Sequence, residues 1–462
     1  MSNKIYPIGI QNFEKIRNDG YFYIDKTALM YQMVKTGSYY FLSRPRRFGK
    51  SLLISTLEAY FQGKKELFEG LAVEKLEKDW IKHPILHLDL NIEKYDTPES
   101  LDKILNDNLE YWESQYGTRP SETSFSLRFA GIIQRACEKT GQRVVILVDE
   151  YDKPMLQAIG NEELQKQFRN TLKPFYGALK TKDGYIKFAL LTGVTKFGKV
   201  SVFSDLNNLD DISMWNEYVE ICGVSEREIH ENLETELHEF AAARGITYDK
   251  LCEDLRECYD GYHFTHNSIG MYNPFSLLNA FKRKEFGSYW FETGTPTYLV
   301  KLLKKHHYDL ERMAHEETDV QVLNSIDSES TNPIPVIYQS GYLTIKGYDE
   351  EFGMYRLGFP NREVEEGFIR FLLPFYANVN KVESPFEIQK FVREVRSGDY
   401  NSFFHRLQSF FADTTYEVIR DQELHYENVL FIVFKLLGFY TKVEYHTSEG
   451  RIDLVLQTDK FI

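Results

Sequence analysis

The chain has 462 residues, which predicts about three domains at roughly 150 residues each. Its 55 lysines and arginines against 69 acids give a net charge of −14, which argues against a protein that coats nucleic acid through its overall charge. Four cysteines without a CxxC pair favour neither a disulfide framework nor a zinc site. No stretch approaches the roughly 20 apolar residues of a bilayer span, so we expect a cytoplasmic protein without a membrane partner.

Apolar runs of strand length alternate with longer amphipathic stretches over the first 200 residues. The runs are almost continuously apolar, as strands buried on both faces of a parallel sheet must be. This alternation predicts an α/β domain with a parallel sheet flanked by helices. The predicted strands are 39–42, 85–90, 144–148 and 187–191, and the clearest helices are 51–61, 101–115 and 163–180.

After about residue 215 the pattern becomes helical. Ser225 and Glu228 form a capping-box pattern and Gly245 is a plausible helix end, so we expect a helical lid beside the sheet. Between about 332 and 360, short β-like runs with glycine turns predict a winged-helix type hairpin. A helical stretch to about 438 and a strand pair around 448–450 complete the chain.

A basic loop, RPRRFGKSLL at residues 44–53, lies between the first predicted strand and a helix. It belongs to a basic N-terminal region, since residues 1–60 hold nine lysines and arginines but only four acids. Strand, loop and helix is the context of a phosphate-binding loop: Gly49 lets the backbone approach phosphate, Lys50 reaches the β and γ phosphates, and the Ser51 hydroxyl binds Mg²⁺. Arg44 stands where the full GxxxxGK[ST] pattern has its first glycine, and the alternative is a helix N-terminus with a solvated basic turn. The candidate nucleotide-binding residues are Arg44, Arg46, Arg47, Phe48, Gly49, Lys50, Ser51 and Leu52.

Two acids end the third predicted strand, in VVILVDEYDKP at 144–154. Asp149 is the candidate Mg²⁺ ligand with Ser51, and Glu150 is the candidate that polarises the attacking water. The alternative is an acidic strand end without chemistry. Asp152 is more simply a turn residue ahead of Pro154.

Thr192 ends the fourth predicted strand, KFALLTG. Beside the phosphate-binding loop it could orient water or sense the γ-phosphate, and the alternative is a threonine that caps a strand. With Glu150 and Lys50 it completes the candidate catalytic set.

With these motifs in place, the chain resembles the prokaryotic AAA-ATPase-like family that often carries a C-terminal PD-(D/E)xK nuclease-like domain. The resemblance rests on segments spread over most of the chain, among them YFYIDKT, RPRRFGKSLL, VDEYDKP, LTGVTKF, FSDLNNLDDIS, YDGYHF, YNPFSLL and TGTPTYL. It implies a P-loop ATPase domain at 1–213, a helical lid and winged-helix-like region at 214–370, and a partial nuclease-like domain within 371–462.

The resemblance also implies nuclease-like acids near the C-terminus. Asp453 in GRIDLVL resembles the first metal aspartate, and Glu427 and Glu444 resemble accessory acids. A turn-adjacent, solvated acid is the alternative for Asp453. No E-x-K motif follows, so we expect no nuclease activity from this polypeptide.

The residues and the resemblance together predict a protein that binds ATP and Mg²⁺ and hydrolyses ATP, coupling nucleotide state to the lid and C-terminal region. The alternative is a nucleotide-gated binding module with little hydrolysis. DNA or RNA, a protein partner and a second copy of the chain all stay open as partners.

Overall fold

The computed structural model describes residues 4–196, 206–291, 297–324, 332–377, 379–380, 383–411, 419–438, 442–448 and 451–457. A five-stranded sheet forms the first part of the molecule, in the order β2-β3-β4-β1-β5, and all its pairings are parallel. The predicted α/β class is confirmed. The strands are β1 (Tyr39–Ser43), β2 (Ile85–Asp89), β3 (Val144–Asp149), β4 (Ile186–Gly193) and β5 (Asp210–Asp211).

The four longer strands match the four predicted apolar runs. β1, β3 and β4 are almost wholly buried, whereas β2, at the edge of the sheet, alternates buried and partly buried residues. β4 lies between β1 and β3, so the strand before the phosphate-binding loop and the strand with the two acids are not neighbours. In register, Thr192 of β4 faces Leu42 of β1, and Leu191 faces Val148 of β3. The carboxyl ends of all three strands therefore meet at one edge of the sheet.

Helices pack against both sides of the sheet. Two of these helices have typical end residues: Pro98 begins the helix Pro98–Tyr116, and Gly141 follows the helix Phe125–Thr140 in the left-handed conformation. α6 and α8 are joined by the stacked rings of Phe129 and Phe175, whose centroids are 4.4 Å apart. The helices of this part are α1 (Phe13–Asn18), α2 (Thr27–Thr36), α3 (Lys50–Phe61), α4 (Ala72–Leu76), α5 (Pro98–Tyr116), α6 (Phe125–Thr140), α7 (Lys153–Gln157) and α8 (Glu162–Thr181).

A second, smaller apolar core lies in the helical region that follows. The predicted capping box is confirmed, since the Ser225 hydroxyl accepts from the Glu228 amide and the Glu228 carboxylate accepts from the Ser225 amide. Gly245 ends that helix in the left-handed conformation. The elements are β6 (Val224–Ser225), β7 (Met271–Tyr272) and helices Glu226–Arg244, Tyr248–Tyr259, Pro274–Arg283, Thr297–Lys305, Val320–Asn324 and Ile334–Gln339.

The predicted hairpin is also present. β9 (Thr344–Asp349) and β10 (Met354–Gly358) pair antiparallel, and β8 (Glu317–Thr318) adds a third strand. Its assignment to a winged helix stays a prediction.

The C-terminal part is helical and ends in the predicted strand pair, β11 and β12, which pair antiparallel. Among the described helices, none is both long and apolar enough to cross a membrane. The elements are helices Arg362–Tyr376, Ser384–Ser397, Tyr400–Phe411 and Ile419–Gly438, then β11 (Lys442–Ser448) and β12 (Arg451–Gln457).

Candidate functional site

The loop between β1 and α3 turns sharply at the edge where the strands end. Arg47 and Gly49 both have left-handed backbone, with φ of 66° and 98°. An added Cβ at Gly49 would meet nothing within 4 Å, so glycine is favoured there by conformation and not by lack of space. The amides of the first turn of α3 have no partner within the helix and lie at its positive dipole end, which is an arrangement suited to phosphate.

A cavity of about 830 Å³ opens in front of this loop. Its volume lies in the range of small-molecule and cofactor sites. The segments that line it include the N-terminal stretch 7–11, the loop at 46–52, residues 91–96 after β2, residues 150–159 after β3, and the helix Pro274–Arg283. The candidate residues on its wall are Arg46, Arg47, Gly49, Lys50, Ser51, Leu52 and Glu150.

Lys50 and Glu150 meet at this wall. Lys50 is only 4% exposed. Its Nζ lies 3.3 Å from Glu150 Oε1 and donates to the Arg44 carbonyl at 3.1 Å. Glu150 has left-handed backbone, with φ of 53°, which turns the chain sharply at the end of β3. The structure thus brings a phosphate-binding lysine candidate and a water-polarising carboxylate candidate together.

Asp149 and Thr192 form a buried pair directly behind the cavity wall. The Thr192 hydroxyl donates to Asp149 Oδ1 at 2.6 Å, and the Glu150 amide donates to the same oxygen at 3.1 Å. Asp149 faces Asp89 in the β2–β3 register. Burial, with the nearby Asp149 carboxylate, raises the pKa of Asp89. Two carboxylates at adjacent strand ends make this edge attractive to a cation.

The residues fit Mg²⁺ held partly by phosphate. In the described parts of the chain, no three histidine, cysteine or acidic side chains are grouped as metal ligands. Mg²⁺ in nucleotide sites needs only one or two protein oxygens, because phosphates and waters supply the rest. The Ser51 hydroxyl at the cavity wall and the Asp149 carboxylate behind it are the candidate oxygen ligands.

The Arg44 side chain is not among those that line the cavity, and its contact with nucleotide stays a prediction. Its guanidinium donates to the carbonyls of Ser213 at 2.7 Å and Tyr218 at 3.1 Å, and it covers the ring of Phe264 at 3.9 Å. Burial lowers the pKa of Arg44 to about 10. The side chain therefore ties the loop to the segment after β5, and only its carbonyl reaches the site, through Lys50.

Phe48 is also placed away from the cavity wall, as a packing residue. It is 1% exposed, and its ring meets Tyr262 and Phe264 edge-on at 4.8 and 5.5 Å. Its carbonyl accepts from the amide of Gly223 at 3.0 Å. The loop is thus anchored by its aromatic side chain in the helical region.

Arg46 and Arg47 line the cavity, and the side chain of each contacts an aromatic residue. Arg46 donates to the Tyr342 hydroxyl at 3.1 Å, and the Arg47 guanidinium lies 5.2 Å from the centre of the Phe275 ring. Both aromatic residues belong to the region after residue 214. The two guanidinium groups are therefore held at the boundary between the sheet and the helical region.

Two residues missed from the sequence hold the loop backbone. Trp290 Nε1 donates to the Arg46 carbonyl at 2.9 Å, and Asn273 Nδ2 is 3.4 Å from the same oxygen. Asn273 lies in YNPFSLL, and the Phe48 partners Tyr262 and Phe264 lie in YDGYHF. Both motifs therefore pack against the loop. In the sequence, the high aromatic content of the two motifs is the feature that indicates a packing role.

Asp152 is the buried acid that the sequence interpretation treated as a turn residue. It is 0% exposed, and its carboxylate accepts from the Val194 amide at 3.2 Å and from the amide and hydroxyl of Thr195 at 2.6 Å each. Burial and the neighbouring Glu150 charge raise its pKa to about 7. Asp152 thus joins the turn after β3 to the segment after β4.

The nuclease-like residues lie far along the chain from this cavity. Glu427 is partly buried in the helix Ile419–Gly438. In the β11–β12 register, Glu444 pairs with Val455, and Asp453 pairs with His446. The backbone thus places Glu444 and Asp453 on adjacent strands of one hairpin.

Comparison with known proteins gives matches at both ends of the chain. A family model described as "Predicted AAA-ATPase", the AAA-ATPase-like family, matches residues 7–203, and a PD-(D/E)XK nuclease superfamily model matches residues 421–462. An Azotobacter chroococcum mcd 1 protein, described as an uncharacterized protein in the vnfD 5′ region, is 35% identical over 470 residues, covering 99% of this chain and 87% of the relative. The chain belongs to the AAA-ATPase-like family.

A solved structure was also matched, that of the Aeropyrum pernix ORC2 protein in ADPNP and ADP complexes. The match covers 72% of this AAA-ATPase-like chain and 87% of the other chain, at 8% identity and a TM-score of 0.27. So low a score supports no argument about function. The family membership supports a nucleotide-binding, ATPase-like role.

Proposed function

We propose that this protein binds ATP with Mg²⁺ in the cavity at the 44–53 loop and hydrolyses it. One observation carries the proposal: a cavity of about 830 Å³ whose wall brings together the left-handed turn at Gly49, the Lys50 ammonium, the Ser51 side chain and the Glu150 carboxylate. These groups come from two different strand ends, and an anionic ligand is what a helix N-terminus with a lysine favours.

Each side chain has a role that its position supports. Lys50 would neutralise phosphate charge, and Ser51 with Asp149 would hold the metal. Glu150 would accept a hydrogen bond from the attacking water, with Thr192 fixing Asp149 from behind. Bound Mg²⁺ would withdraw charge from the β and γ phosphates.

Two arginines and several apolar side chains extend this site. Arg46 and Arg47 line the cavity and would contact phosphate oxygens through their fork-shaped donors. Pro274, Phe275 and Leu278 add apolar side chains to the cavity wall, which would suit a nucleobase. Leu52 lines the same cavity.

Nucleotide state would reach the rest of the chain through the loop contacts. The Arg46 carbonyl is held by Trp290, and its guanidinium by Tyr342. Any shift of the loop toward phosphate moves those contacts, so the proposed ATPase domain (1–213) would act on the proposed lid region (214–370) and, through it, on residues 371–462.

Phosphate release from ATP with Mg²⁺ tests this proposal. The wild type should release phosphate, Lys50→Ala should bind ATP at least tenfold more weakly and release little phosphate, and Glu150→Gln should bind ATP but lose turnover. Lys75→Ala, at an exposed position in α4, is the matched control and should behave as wild type. Wild-type turnover by Glu150→Gln would refute the role given to Glu150.

One observation favours the alternative of a nucleotide-gated module with little hydrolysis. Glu150 is ion-paired to Lys50 at 3.3 Å, so the lysine competes with an attacking water for the carboxylate. ATP would then act as a structural ligand that raises the melting temperature by mass action. Thermal stabilisation by ATP without phosphate release would select this alternative.

A further inference from the structure

A second cavity lies in the C-terminal helical part and shares no residue with the first. It has a volume of about 500 Å³ and lies between the helices Arg362–Tyr376 and Ser384–Ser397. Three arginines line it, Arg370, Arg393 and Arg396, and none of its lining residues is acidic. In a chain with a net charge of −14, this is a local concentration of positive charge that requires an explanation.

The acids of the helix Ser384–Ser397 lie on its other face, where they are neutralised. Arg406 binds Glu387 at 2.6 Å and Glu394 at 2.5 Å, and Lys390 also pairs with Glu387 at 2.6 Å. The two acids of the helix are therefore neutralised by Lys390 and Arg406, whereas its arginines line the cavity.

Two of the three arginines at the cavity reach solvent. Arg393 and Arg396 are both exposed. Within the described residues Arg393 makes no ion pair. Arg370 is paired with Glu366 at 2.7 Å, one turn earlier in its own helix, which holds the guanidinium in place at the cavity. The cavity therefore offers guanidinium donors that suit phosphate oxygens.

An exposed aromatic ring stands beside these cations. Phe386 is 60% exposed and lines the same cavity, one residue after Pro385 at the start of the helix. Sites that bind single-stranded nucleic acid combine exposed aromatic rings with cationic side chains. The bases stack on the rings and the phosphates bind the cations. An acidic peptide would use the charges but would gain little from the ring.

The position of the cavity agrees with this ligand. The helix Ile419–Gly438 packs against the helix Arg362–Tyr376, where Lys435 pairs with Glu365 at 3.0 Å. It also contacts the helix Ser384–Ser397. The nuclease superfamily match begins at residue 421, within that same packed helix. The cavity therefore adjoins the part of the chain that is similar to nucleases.

We propose that Arg370, Arg393, Arg396 and Phe386 form a binding site for single-stranded nucleic acid. The site lies outside both family matches and works independently of the ATP-binding cavity, so failure of one proposal leaves the other standing.

Fluorescence anisotropy with a labelled 20-mer of deoxythymidine, on the full chain without nucleotide, tests the site. The Arg393→Gln/Arg396→Gln double variant should weaken binding and should reduce the slope of log affinity against log salt by about 1.4, since each single-strand phosphate contact contributes about 0.7. Phe386→Ala should weaken binding about tenfold or more, the effect of removing one stacking ring.

The matched control removes two exposed arginines elsewhere, in Arg119→Gln/Arg143→Gln, and should bind as wild type with the wild-type salt slope. All the substituted side chains are exposed, and melting temperatures near that of wild type show that each variant folds. No oligonucleotide binding by the wild type, or equal weakening by the control pair, would overturn the proposal. Equally tight binding of polyglutamate, unaffected by Phe386→Ala, would also overturn it and indicate an acidic protein partner.

Discussion

The buried carboxylate of Asp152 makes the stability of the sheet region dependent on pH in a way that one substitution should remove. Its pKa is raised to about 7 by burial and by the Glu150 charge, while in the unfolded chain it has its ordinary value of 3.8. Between these two values the folded state binds the extra proton. A raised acid pKa therefore stabilises the fold at low pH, and this stabilisation is lost as pH rises toward 7.

The size of the effect follows from the two pKa values. Each pH unit between them changes the free energy of unfolding by about 1.4 kcal/mol, so the contribution of Asp152 falls by about 2 kcal/mol between pH 5 and pH 7. Asp152→Asn keeps the shape but cannot titrate. The asparagine side chain has only one acceptor oxygen, so either the Val194 or the Thr195 backbone amide loses its acceptor. This loss lowers the free energy of unfolding by about 1–3 kcal/mol at every pH.

Urea unfolding of wild type and Asp152→Asn at pH 5, 6 and 7, followed by tryptophan fluorescence, measures this. Wild type should lose about 2 kcal/mol relative to the variant over that range. The exposed Asp249→Asn is the control for removing one carboxylate charge. If the wild-type and Asp152→Asn curves ran parallel from pH 5 to 7, the buried acid would not be the titrating group.

The other predictions concern the loop and the strand edge. Trp290→Phe removes the 2.9 Å hydrogen bond to the Arg46 carbonyl, so ATP affinity should fall about fivefold by calorimetry, whereas unchanged affinity would contradict the anchoring role. Thr192→Val removes the 2.6 Å bond to Asp149, so phosphate release should slow about tenfold while the ATP dissociation constant stays within about twofold. Gly193→Ala places a Cβ 2.5 Å from the buried carboxylate behind it, so expression or melting temperature should drop sharply, and a wild-type melting curve would contradict the crowding.

The sequence was sufficient to predict the sheet, because strands buried on both faces must be continuously apolar. It also predicted that the loop with Gly49 lies near the strand ends that carry Asp149 and Thr192. The wall formed by Lys50 and Glu150 follows from those strand ends and from the turn at Gly49.

The sequence could not predict which arginines reach the cavity. Arg44, Arg46 and Arg47 are chemically equivalent within one loop, and their directions depend on partners more than 160 residues away, such as Ser213 and Tyr342. Local patterns carry no information about such contacts. For the same reason the sequence alone could not show that the aromatic motifs pack on the loop.

Asp152 was missed because a carboxylate before a proline is common in solvated turns. Its burial depends on the Gly193 position, where an alanine Cβ would approach its oxygen to 2.5 Å. Only the assembled sheet edge shows that this acid is enclosed.

The most direct test of the central claim is calorimetric titration of ATP with Mg²⁺ into the wild type and Lys50→Ala, with Lys75→Ala as the control. The account predicts one ATP per wild-type chain and an affinity at least tenfold weaker for Lys50→Ala, since a charged hydrogen bond to phosphate is worth about 1.5–3 kcal/mol. The control should bind as wild type. Equal ATP binding by all three proteins, or none by the wild type, would contradict the assignment of the cavity at residues 44–53 to ATP.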